Sequence, residues 1–474
     1  MSILGKNFGS RVSLENREGS DEQTEVRSEV DVRVAETRAD VAEDALRRTE
    51  EMDQIEEVRE QIEGGLEVAE ALENFKTNLS GKIATGGLTK GEAEYASDLC
   101  TALESFTGHR GFVAAPTIST ENFGTASANK AATQVSVEGI KDSLAKAWEW
   151  IKEKYQQFVG WIKKHYLKWF GDYENMKKRA EAIKEKAKDL KGSIKENEFE
   201  NKTLAAAFTV NGALTDGAGI KSGLDAAMGA VANLSKFTSQ AKEVNDILDK
   251  TVETLPTVIA VGSNGQGDVS ISANLKSKIA GASTSALSLI SGSEGDATKF
   301  NLSGDNTKIS RVLPGEFAIV VSPFGSASDD LDKALDTTVK FSKLSLKTAS
   351  SADRLKTLKQ DEIMDICNNV ISFAESGIES RKVVEDAVKD SDRLSKNLDA
   401  FAKEAKGKIK DNKDQDTDTK VADTKLMNKL PKAVLAWATT PLNVSKDLLS
   451  YGAKLSKASL DYCQASIGQY GETN

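Results

Sequence analysis

Two histidines and three cysteines are all that this 474-residue chain offers for the commonest kinds of metal binding and nucleophile activation. His109 stands in a Thr-Gly-His-Arg-Gly run that reads as a solvated loop, and His165 falls in a lysine-rich aromatic stretch. Cys100, Cys367 and Cys463 are odd in number and far apart in sequence. They make neither a Cys-x-x-Cys pair nor a disulfide framework, which fits a reducing compartment. Gly217, Gly219 and Gly223 have one residue too many before the last glycine for a dinucleotide turn, and a flexible turn explains them better. Asp414, Asp416 and Asp418 begin like a calcium loop, but Thr419 stands where glycine is needed and Lys425 where a bidentate Glu should sit. There is no Gly-Lys-Ser/Thr phosphate loop. The expectation is therefore no catalytic residues, no metal site and no cofactor.

Two other features carry chemistry of a different kind. Ser119-Thr120-Glu121, followed by Asn122, lies in a Gly, Pro, Ser and Thr-rich stretch, and a protease needs such an extended, unpaired backbone. The triplet is weakly specific, because small-x-Glu also occurs at Ser13, Ala71, Ala102 and Ser136, so a plain interdomain linker stands beside the cleavage reading. The second feature is cationic and aromatic. Residues 141–195 hold 15 basic against 8 acidic side chains and four of the five tryptophans. Lys152, Lys154, Lys163, Lys164, Lys168, Lys177, Lys178 and Arg179, with Trp148, Trp161 and Trp169, are the candidates for contact with DNA phosphates or a lipid surface. A core helix with a solvated cationic flank competes with both, as does stacking on unpaired bases; exposure of the tryptophans separates the core reading from the others.

The elements that must position these residues follow from periodicity. Six prolines and an abundance of Lys, Glu, Ala and Leu favour helices. Leu144, Trp148, Ile151, Tyr155, Phe158, Ile162, Tyr166 and Trp169 recur at three- and four-residue steps, predicting a long helix or a helical pair over 136–195. Residues 21–80 should be helical too, with Ile55, Val58, Ile62, Ala69 and Leu72 on one seam that Gly64 and Gly65 interrupt. A short helix is expected near 89–106. Thr257–Val261, Val269–Ser272 and Phe317–Val321 are β-type runs between turn-rich clusters. The expected class is mainly α, with long helices, a small β insertion over about 255–323 and a flexible acidic N-terminal segment. The boundaries are 1–121, 122–254 with the Trp-rich helix, 255–323, and a helical 324–474 punctuated near its end by Pro431 and Pro441.

Charge divides at the same place as the linker. Residues 1–121 carry 26 acidic and 13 basic side chains, whereas 122–474 carry 47 and 50, so a net −13 precedes a net +3. No apolar run approaches the roughly 20 residues a membrane-spanning helix needs. An acidic helical leader, a Ser-x-Glu junction and a basic helical remainder resemble the internal head proteins of giant phiKZ-like tailed phages. That resemblance implies a non-enzymatic component of the virion interior, present in the host cytoplasm during assembly. It implies a propeptide that directs the chain into the prohead, and a prohead protease cutting after Glu121. Scaffold or capsid proteins and packaged DNA are the further implied partners. The alternative reading of the residues is a membrane-active or host-interaction protein using the Trp-rich cationic helix 144–170.

Overall fold

Sixty-three consecutive residues, Ala126–Lys188, form one helix, α3, about 95 Å long at 1.5 Å per residue. No single neighbour covers such a length, and different elements pack along it. The computed structural model describes residues 57–72, 75–76, 87, 89–107, 126–262, 268–302, 306–325, 331–347, 354–391 and 417–471. Within α3 the side chains of 126–128, 131–132, 134–139, 141 and 165–171 lie outside that description. The chain divides into two compact units, Met1–Arg59 and Glu60–Asn474, and the following concerns the second.

Before α3 come α1, over residues 57–72, and α2, Lys90–Thr107. After it come α4 (Lys202–Ala207), α5 (Gly217–Gly262), α6 (Asp268–Leu287), α7 (Leu331–Leu335), α8 (Gln360–Glu379), α9 (residues 381–391) and α10 (Thr417–Ile467). The class is mainly α with small sheets, as the composition leads one to expect. Helix α10 runs against α5, α3 and α8, and α5 also packs on α6 and α8. On α5 the buried face is built from Ile220, Leu224, Ala227, Val231, Leu234, Ala241, Val244 and Leu248, at three- and four-residue steps.

Two local details explain why long helices form despite poor helix residues. At the start of α5, Asp216 Oδ1 accepts the Gly219 backbone N–H at 2.9 Å, capping the helix. The glycine cluster 217–223 is thus a helix start and not a flexible turn. A Cβ on Gly223 would lie 2.5 Å from the Pro314 ring, so glycine permits that contact. In α10, Pro431 and Pro441 lie inside the helix and do not end it. Pro441 has no N–H for the carbonyl of Trp437 four residues back. The side-chain amide of Asn245 on α5 donates to that carbonyl at 3.1 Å. Both residues are buried, so the substitute bond removes an otherwise orphaned acceptor.

The largest sheet is antiparallel, in the order β4 (Lys308–Ile309), β5 (Phe317–Ser322), β6 (Thr338–Lys343). Val320 pairs with Ile309 on one side and Lys340 on the other. One face carries Phe317 and Phe341 onto Tyr451 of α10, with ring centroids 4.9 and 5.3 Å away. The other face closes a small cluster of Phe300, Ile309, Val312, Ala318 and Leu344. Two further pairs join strands at Glu198–Glu200 and Arg354–Lys356, and at Thr209–Val210 and Ala213–Leu214. The second pair is closed by Asn211 and Gly212, both at positive φ. Their N–H groups donate to the buried Glu316 carboxylate at 2.9 and 2.7 Å.

Three expectations need correction. Residues 257–261 and 269–272 are helical, in α5 and α6, and only the run at 317–321 is a strand. The reason is context. Leu275, Ile279, Ala282 and Ala286 continue a buried helical face through α6, and that longer pattern overrides the local preference of Val and Ile. The sheet also extends past residue 323, since β6 is Thr338–Lys343. Finally, Gly64 and Gly65 lie within α1 and do not interrupt it.

Candidate functional site

The junction Ser119-Thr120-Glu121-Asn122 lies outside the described residues, in the stretch of sequence between Thr107 at the end of α2 and Ala126 at the start of α3. What is described on either side decides what a cut there would separate. Helix α2 starts with a capping box: Glu92 Oε2 accepts from the Thr89 N–H at 3.0 Å and its hydroxyl at 2.9 Å. Helix α1 buries Ile62, Leu66, Ala69 and Leu72, and Phe75 just beyond it is buried as well. Each Ile, Leu or Phe contributes roughly 1.5–3 kcal/mol when fully buried, so this face supplies roughly 6 kcal/mol or more before ordering costs.

The leader's contacts are specific. A Cβ on Gly65 would stand 2.7 Å from a Trp150 ring carbon, so the glycine is the notch in which the indole sits. Trp150 of α3 is 4% exposed. Glu63 meets Lys340 of β6 at 2.9 Å, and Glu70 meets Lys432 of α10 at 3.1 Å. The second pair is the more sheltered, with the Glu70 side chain 16% exposed, and is screened less by salt. Phe75 makes an edge contact with Tyr95 of α2 at 5.5 Å. Cys100 of α2 is buried, hydrogen-bonds with Ser143 of α3, and has its thiol pushed up to about 11 by burial. It is an inert packing residue.

The cationic candidates on α3 are dispersed. Lys177 is paired with Glu375 of α8 at 2.6 Å, and Arg179 with Asp461 of α10 at 2.6 Å and Gln464 at 3.2 Å. Glu375 also raises the Lys177 pKa through that hydrogen bond. Lys154 lies over the Trp150 ring, 5.8 Å from its centroid. Lys152 and Lys163 are engaged by other groups, whereas Lys164 and Lys178 are exposed. The side chains of Lys168 and Trp169 lie outside the described residues. Trp148 and Trp161 are half-buried and engaged in contacts. Leu144, Ile151, Tyr155, Phe158 and Ile162 are all buried. The aromatic stripe is therefore a packing face.

Lys340 and Lys432 were not among the residues singled out from sequence, and the packing of Gly65 against Trp150 was not foreseen. The spacing of Ile62, Ala69 and Leu72 marked the right face of α1, but a glycine pair that reads as an interruption gives no hint of a tryptophan. Nor did sequence bring Cys367 of α8 to Cys463 of α10: both thiols are buried and hydrogen-bonded to each other. Among the described residues, no group of three or more His, Cys, Asp or Glu is arranged to hold a metal ion. None of the described helices is long and apolar enough to cross a membrane.

The family model for phiKZ-like phage internal head proteins matches residues 22–465, most of the chain. The chain belongs to the phiKZ-like phage internal head proteins. This membership implies a place inside the phage head. No curated protein and no solved structure is significantly similar to it. The match begins within the acidic segment and ends close to the last residue of α10, so the family pattern includes most of the acidic N-terminal segment as well as the helices that follow.

Proposed function

We propose that this internal head protein is a non-enzymatic packaging component whose acidic leader brings it into the prohead. A prohead protease then cuts after Glu121. The observation that carries the reading is that the family match spans a chain whose charge changes sign at a Ser-Thr-Glu triplet located between α2 and α3. Scaffold or capsid proteins receive the leader while the chain is in the host cytoplasm, and residues 122–474 reside with the packaged DNA. A leader of net −13 disfavours early contact with DNA, and a body of net +3 permits it.

Such contact is weak and nonspecific. Lys177 and Arg179 already pair with carboxylates of the body, which leaves Lys154, Lys164 and Lys178 as the better placed of the described candidates. Each phosphate contact steepens the salt dependence by about 0.9, so the expected slope for residues 122–474 is shallow, about −3. The buried stripe and the half-buried Trp148 and Trp161 support the packing reading of α3, and no specific observation favours the membrane-active alternative. Peptide mass spectrometry of purified particles tests the proposal. Asn122 as the mature N-terminus is expected, and chains intact from Met1 to Asn474 would overturn it.

A further inference from the structure

The groove lined by Trp150 and Ile151 of α3, Lys340 of β6 and Lys432 of α10 is filled by one amphipathic acidic helix, the leader's own α1. Resting on the cleavage reading above, we infer that a cut at Glu121 does not free the leader: its helices α1 and α2 stay docked, and the processed protein is a two-chain body. Contacts with three elements hold the leader: Trp150, Ile151 and Ser143 on α3, Lys340 on β6 and Lys432 on α10. Its apolar face buries Ile62, Leu66, Ala69 and Leu72. The indole notch at Gly65 fixes the position of α1 along α3. Phe75 against Tyr95 and Cys100 against Ser143 tie α2 into the same assembly.

These contacts are made by described residues outside 108–125, so breaking a peptide bond there leaves each of them in place. The break abolishes only the covalent tether, turning an intramolecular contact into a bimolecular one. Docking also has an electrostatic consequence. While the leader stays, the two chains together keep the net charge of −10, and the reversal to +3 requires expulsion as a separate event. Cutting therefore arms the body, and displacement of α1 from its groove discharges it. A competing helix would need the same chemistry: an apolar face, a small residue opposite Trp150, and acidic groups at the spacing of Glu63 and Glu70.

The full-length chain with a recognition site for a sequence-specific protease placed at 119–122 tests this directly. After complete digestion at micromolar concentration, native mass spectrometry and size exclusion should show residues 1–121 and 122–474 migrating together at one to one. Separation of the two fragments, with the larger still helical by circular dichroism, overturns the inference. Glu63→Lys with Glu70→Lys on the rim should speed release of the cut leader several-fold, and adding Lys340→Glu with Lys432→Glu should restore retention. Equal release rates in all three proteins would place the leader elsewhere and also overturn the inference. Because the engineered site supplies the break, intact chains in particles would remove the cut at Glu121 and leave this result standing.

Discussion

The two halves of α3 are covered by partners of different origin. Its N-terminal half lies against α1 and α2, through Trp150 at Gly65 and Ser143 at Cys100. Its C-terminal half lies against α8 and α10, where Tyr173 packs edge-on to Phe373 at 5.7 Å and donates its hydroxyl to the Leu449 carbonyl at 3.0 Å. Both covers bury aromatic side chains and both add ion pairs at their rims. The difference lies in connectivity: a cut at 121 severs the first cover from α3, but α8 and α10 follow α3 on the same side of that cut. Under the proposed cut at Glu121, burial alone does not mark a segment as permanent.

This comparison can be broken at several strengths. The largest effect is expected at the permanent cover, where Phe373→Ala empties a fully buried site and should cost about 3–5 kcal/mol in chemical denaturation whether or not the chain is cut. Leu72→Ala at the leader should cost about 2–5 kcal/mol in the intact chain; an unchanged stability there would contradict the burial of α1. Asn245→Ala should cost about 1–3 kcal/mol by orphaning the Trp437 carbonyl. Pro441→Ala in the same protein should recover part of that loss by restoring the backbone donor; no recovery would remove the explanation of how α10 continues past its proline.

Smaller effects sharpen the contrast. The Cys100 thiol is raised to about 11 from a usual value of 9.0, so the neutral form favours the fold. Its contribution is complete below pH 9 and is lost as pH rises toward 11. Replacing Cys100 with Ala should flatten the alkaline limb of stability in the intact chain, as read by melting temperature against pH. Smallest of all, Lys177→Ala should change stability by less than about 1 kcal/mol, because its pair with Glu375 is exposed. It should also leave the affinity of residues 122–474 for duplex DNA within about twofold, whereas Lys164→Ala with Lys178→Ala should lower it more.

Much of this architecture was legible in the residues. The stripe from Leu144 to Ile162 has one period over several turns, and α3 buries Leu144, Ile151, Tyr155, Phe158 and Ile162 of it, with Trp148 half-buried. Helix α2 and the strand at 317–321 also lie where their patterns put them. The runs at 257–261 and 269–272 were misread because β propensity is local, while α5 and α6, which contain them, are longer than the windows in which Val and Ile stand out. Pro441 was misread because the group compensating for it, Asn245, is 196 residues away in sequence. The docking of α1 was hidden for a similar reason. Gly65 carries no side chain to reveal a partner, and acidic residues such as Glu63 and Glu70 look solvated until Lys340 and Lys432 are brought opposite them by folding.

Hydrogen exchange on the intact, uncut chain tests most directly the claim that the leader's helices are part of the body. The amides of residues 60–72 and of α2 are expected to be protected to an extent comparable with α5. Exchange of 60–72 at the rate of an unstructured peptide, while α5 remains protected, would contradict the account.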